Sequence, residues 1–272
     1  MRKALDPGGD FQPIPEPGPH DWLANHDEPG QSFEDFVRCR PNAPNELRRT
    51  IYLQPLGEFP VGKSPPLERL AEFAEAFFMM DVAMLPSARF TQGEITTRSN
   101  PYTRETQLLT GDILAYLRRR VPDDAHCVLG ITVYDLYPDP SWNFVFGQAS
   151  LRDRIGVYSF ARYDPAFYGE DVKDAETLML RRSCKVLAHE TAHMFGIQHC
   201  IFFHCLMNGS NHLDESDARP LHLCPVDLRK LNFSLQFDAL ARYRRLHDFY
   251  AAVGIDDEAR WLAKRLEHIG SS

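Results

Sequence analysis

The sequence predicts an α/β fold that ends in a small, mostly helical C-terminal subdomain. Three observations carry this. Strand-like and helix-like patterns alternate through the middle of the chain. A chain of 272 residues with 43% hydrophobic composition can bury one sizeable core. From Pro225 onward the apolar spacing is helical with no strand pattern. The predicted division is a Pro-rich N-terminal extension over 1–46, an N-terminal subdomain over 47–199 and a C-terminal subdomain over 200–272.

In the extension, Pro13, Pro15, Pro17 and Pro19 alternate and disfavour both helix and central strand. Trp22, Phe33 and Phe36 are large enough to fasten it to a folded body, but composition alone leaves draped and fastened states open. Residues 49–54 are β-prone and closed by Pro55. Over 67–80, Leu70, Phe73, Ala74 and Phe77 share one helical face. A helix over 104–120, a strand over 127–136, and strands over 143–149 and 155–162 follow. A long helix covers 174–195. Pro225 opens another through Leu228, Leu231 and Leu235, continuing toward Tyr250 and stopped by Gly254. Asp256 caps a last helix bearing Trp261, Leu262 and Leu266.

The net charge of −8 is spread over interleaved acids and bases, with no basic stripe for a phosphate backbone, so nucleic acid is excluded as an expected partner. No apolar run reaches membrane-spanning length, and the N-terminus lacks the apolar stretch of a secretory signal. The expectation is a monomer of the cytoplasm or nucleus, neither secreted nor membrane-bound. Six cysteines are too few and too unevenly spaced for a disulfide scaffold. Three of them, Cys200, Cys205 and Cys224, fall beside a histidine cluster, which points to metal chemistry.

That cluster begins with His189-Glu190-Thr191-Ala192-His193 inside the helix over 174–195. Residues four apart share a helix face, so both imidazoles can reach one ion, while Leu180, Cys184 and Leu187 fall on the opposite side and can enter the core. Gly196 can take the left-handed backbone that ends the helix, letting the chain return so that His199 supplies a third ligand. Three imidazoles leave zinc an open position for water, and Glu190, beside the ligands without being one, is placed to act as general base. With background composition, the five-residue core arises by chance in roughly one chain of this length in 150, and Gly196 and His199 lower that about a thousandfold. Packing histidines are therefore the weaker explanation.

The string H-E-x-x-H-x-x-G-x-x-H continues to Cys200, Cys205, Met207 and Cys224, and together these residues resemble the archaemetzincin family of metzincin-type zinc peptidases. Residues 144–149 and 156–162 are similar to the family's strand region. The resemblance implies a metzincin-like catalytic domain with a mixed twisted sheet and an active-site helix. It also implies a catalytic zinc on His189, His193 and His199, the base Glu190, and a methionine turn at Met207 giving apolar support to the ligands. A second, structural zinc is implied on four cysteines, of which this chain supplies Cys200, Cys205 and Cys224. At the fourth position stands Asp227, which can either ligate zinc or simply favour the start of the helix opened by Pro225. Gly147, Gln148 and Ala149 are implied as a strand bordering the substrate, where an edge can pair with an extended peptide.

The expected function is zinc-dependent hydrolysis of peptide bonds in a peptide or protein substrate, with an aminopeptidase-like mode implied by the resemblance. The alternative is a zinc-organised peptide-binding protein with negligible turnover, against which an unligated Glu190 argues. Hydrolysis of a non-peptide amide would use the same constellation.

Overall fold

The structure is a computed structural model describing residues 1–90 and 93–270. It forms two compact units. One comprises Met1–Ala43, Ala76–Met79 and Phe195–Ser272, the other Pro44–Glu75 and Met80–Met194. The fold is mixed α/β with mixed sheets, as the alternation predicts. In chain order the elements are α1 (Trp22–Asn25), α2 (Phe33–Arg38), β1 (Thr50–Pro55), α3 (Leu67–Phe78), β2 (Asp81–Met84), β3 (Thr97–Ser99) and β4 (Thr106–Leu109). Then come α4 (Thr110–Arg118), β5 (Ala125–Thr132), β6 (Asp135–Tyr137), β7 (Gly147–Ser150), β8 (Ile155–Ser159) and α5 (Ala175–Met194). The chain closes with α6 (Leu213–Ala218), α7 (Pro225–Leu235), α8 (Ala239–Ala252) and α9 (Asp256–Gly270).

Among the described residues, the strands all belong to the second unit. Five form a sheet in the order β2-β1-β5-β8-β7, with every pair parallel except β7 with β8. The central strands β5 and β8 are buried throughout, as strands covered on both faces must be. A smaller sheet runs β3-β4-β6. Leu108, Ile113, Leu117, Val128, Leu136 and Val157 share one core between the sheets and α4. α5 lies against β7 and β8, burying Leu180, Cys184 and Leu187 on the side the spacing assigned to the core. This fixes the register of the histidines on α5 relative to the edge strand β7.

The first unit is helical. α8 packs on α9, and α2 on α7. The N-terminal segment is built into it: Phe33 and Phe36 meet Phe233 edge to face. The buried guanidinium of Arg265 on α9 binds the Asp10 carboxylate and donates to the carbonyls of Ala4 and Asp6.

Several elements differ from expectation. The helix predicted over 104–120 starts only at Thr110, because residues 106–109 pair with β3 and β6 instead. The strand predicted over 127–136 divides into β5 and β6, which enter different sheets. The long helix after Pro225 breaks at Gln236, which adopts left-handed backbone (φ 53°), and Asp238 caps α8 by accepting from the Ala241 amide. β2 and β3 have no clear sequence pattern. Among the described residues, no helix is long and apolar enough to cross a membrane.

Candidate active site

α5 carries His189, Glu190 and His193 in its last two turns, and Gly196, at φ 89°, takes the left-handed backbone that ends it. The Nε2 atoms of His189 and His193 lie 3.0 Å apart and their rings are nearly perpendicular. Two imidazoles so placed can share one ion at the usual Zn–N distance of about 2.0–2.1 Å. His189 and Glu190 are each 7% exposed.

The Glu190 side chain lies directly against β7. A Cβ on Gly147 would sit 2.9 Å from Glu190 Oε1 and 3.0 Å from its Cδ and Cγ, so a side chain there would force the Glu190 carboxylate to move. β7 is hydrogen-bonded to β8 along one edge and is the last strand of the sheet on the other. Gln148 is exposed, and its side-chain Oε1 accepts from the Thr110 hydroxyl; Ala149 pairs with Gly156. Within the second unit the structure therefore brings His189, Glu190, His193 and the 147–149 edge strand together.

In the first unit, His199 is held by a residue outside the motif. Its Nδ1 lies 2.7 Å from the Glu28 carboxylate, which also accepts from the Trp22 indole nitrogen at 2.8 Å. Glu28 escaped the sequence reading because 171 residues separate it from His199. The aromatic Trp22 is the one sequence feature that points there.

Cys200, Cys205, Cys224 and Asp227 form a second group, all buried, with one donor atom from each within 4.8 Å of the others. Cys200 and Cys224 sulfurs are 3.7 Å apart, and Asp227 Oδ2 is 3.3 Å from Cys205 Sγ and 3.4 Å from Cys224 Sγ. Sulfurs at about 2.3 Å from a tetrahedral zinc are about 3.8 Å apart, so the donor set fits that ion. None of the three is in a disulfide. Hydrogen bonds from Cys205 and Cys224 hold the Cys200 thiol well below the usual thiol range, while burial pushes the other two up. Burial and the Cys200 sulfur raise Asp227 to about 7, against the lowering influence of Lys230, whose fully buried ammonium lies 2.8 Å from Asp227 Oδ1. Met207 is buried nearby in sequence, its carbonyl accepting from the Cys200 amide, and the neighbouring Asn208 side chain braces the turn by bonding the Cys200 and Phe203 carbonyls and the Cys205 amide.

A sequence model of peptidase family M54 matches residues 85–232. Archaemetzincin-2 of Rattus norvegicus is 39% identical over 288 aligned positions, covering 95% of this chain and 79% of its own length. Among solved structures, the zinc-dependent peptidase from Methanocorpusculum labreanum superposes with a TM-score of 0.54 at 26% identity, covering 67% of this chain and 100% of its own. The archaemetzincin from Methanopyrus kandleri gives a TM-score of 0.54 at 28% identity, covering 71% and 99%. A relative this similar over nearly the whole chain, with the family model spanning the histidine motif and the cysteine cluster, leaves one assignment: the chain belongs to the archaemetzincin family of zinc peptidases, peptidase family M54.

Proposed function

We propose that the chain hydrolyses peptide bonds with a zinc ion held by His189, His193 and His199, and that Glu190 is the general base. The observation that carries this reading is the contact of the Glu190 side chain with Gly147: the carboxylate beside the two α5 histidines lies against an edge strand able to receive a peptide. Bound zinc supplies Lewis acidity to a water molecule and to the scissile carbonyl. Glu190 accepts the proton of the attacking water and delivers it to the leaving amine nitrogen. The backbone of Gly147, Gln148 and Ala149 orients an extended substrate by strand pairing, while the exposed Gln148 side chain is held aside by Thr110. The solved relative from Methanocorpusculum labreanum, described as a zinc-dependent peptidase, supports the choice of ion and reaction.

We extend the proposal to a second, structural zinc on Cys200, Cys205, Cys224 and Asp227. A closed donor set of three sulfurs and one carboxylate, buried and without an open position, suits a stabilising ion rather than a reacting one. On this reading residues 47–199 supply most of the catalytic groups, and 200–272 carry Met207, the cysteine site and the last helices.

A peptide-library cleavage assay tests the function. Zinc-loaded protein should cleave, chelator-stripped protein should not, and added zinc should restore the activity; an aminopeptidase-like mode should release single residues from free N-termini. Peptide binding without products at full zinc content would overturn the assignment of turnover.

A further inference from the structure

We infer that the N-terminal segment is a working part of the metal centre, with Glu28 as a positioning residue that fixes the His199 imidazole and Trp22 and Gln31 holding that arrangement. This rests on the reading of His199 as a zinc ligand. A neutral imidazole has two tautomers, and binding a metal through Nε2 requires the proton on Nδ1. A carboxylate accepting from Nδ1 selects that tautomer and orients the ring. Glu28 stands 2.7 Å from His199 Nδ1, and the two side chains are only 20% and 18% exposed.

The contact is built from several directions. Trp22 Nε1 donates to the same Glu28 oxygen at 2.8 Å, and the indole meets the His199 ring edge to face at 5.0 Å while stacking on His26 at 3.6 Å. The indole is seated on Gly209, where a Cβ would come within 2.5 Å of Trp22 Cγ. The Trp22 amide donates to Glu215 Oε1 at 2.8 Å. Gln31, 3% exposed, clamps the loop leading into His199: its Nε2 donates to the Gly196 carbonyl and its Oε1 accepts from the Gln198 amide, both at 3.1 Å. One stretch of the extension thus fixes both the backbone before His199 and the nitrogen opposite the metal-facing one. A surface ion pair formed by chance needs neither the shared indole bond nor the buried amide clamp.

The test is a double-mutant cycle on the full-length zinc-loaded protein, read by competition with a chromophoric chelator. Glu28→Gln keeps the shape and removes the charge, so zinc at the histidine site should be held about 10- to 100-fold more weakly. His199→Ala should weaken it at least as much, and adding Glu28→Gln to His199→Ala should change it no further. The visible absorption bands of the cobalt-loaded protein should also shift in Glu28→Gln, which a purely structural role would not produce. Unchanged affinity in Glu28→Gln with a clear loss in His199→Ala would overturn the positioning role alone. An equal Glu28→Gln effect in both backgrounds would likewise overturn it, by locating the effect in the fold. Unchanged affinity in His199→Ala would instead remove the ligand assignment underneath it.

Discussion

At Gly147 the missing side chain is itself informative, because the Glu190 carboxylate stands where a methyl group would go. Gly147→Ala forces the Glu190 side chain to shift by tenths of an ångström. The expected result is a fall in kcat/KM of about tenfold or greater, since small misplacement of a reacting group is costly, with stability little changed because the atoms that must give way are the end of the Glu190 side chain. Steady-state kinetics and thermal melting check both, and an unchanged rate would separate Glu190 from the reaction. His189, Glu190 and His193 were legible in the sequence because one helix places them by spacing alone. Glu28 and Gln31 were not, since their partners lie more than 160 residues away. Nor was Lys230, because a lysine on a helix ordinarily reads as a solvated charge, whereas here Asp227 holds it fully buried.

Among the elements, strands and helices with a strong apolar period were legible, and their junctions were not. The helical character of residues 110–118 spread in the sequence over the preceding strand β4, whose pairing is decided by β3, itself without a clear pattern, and by β6 further along the chain. The break between α7 and α8 turns on one left-handed residue, Gln236, where the usual glycine is absent. In β5, His126 is the extra residue of an irregularity: Thr50 pairs with Ala125 and Ile51 with Cys127. Burial, together with the Arg154 charge, lowers His126 from 6.5 to about 4. Its folded value is depressed, so the unfolded chain takes up the proton first as pH falls. Stability is therefore fully present above about 6.5, is lost as pH drops toward 4, and changes no further from this group below that. The span corresponds to ~3 kcal/mol at 1.36 kcal/mol per pH unit. Denaturant titrations of wild type and His126→Phe across this range should show a shallower pH dependence in the variant; equal slopes would assign the acid sensitivity to other groups.

For the whole molecule, two zinc ions in sites of different kinds are expected on one chain. Elemental analysis should find two zincs in wild type and one in both Cys224→Ser and Asp227→Asn. Asp227→Asn also leaves the Lys230 ammonium buried without its counter-charge, a loss of about 3–5 kcal/mol. Two zincs in Asp227→Asn would return Asp227 to the simpler role of favouring the start of α7. His193→Ala should lose the other ion and keep the cysteine-bound one. The most direct measurement is the hydrolysis rate of Glu190→Ala on a peptide that the wild type cleaves, with zinc content determined on the same samples. Unchanged zinc and a rate lower by about 10²–10⁴-fold are expected, because Glu190 as the proposed base would move a proton and hold no metal. Cleavage at the wild-type rate, or loss of zinc along with activity, would contradict that role.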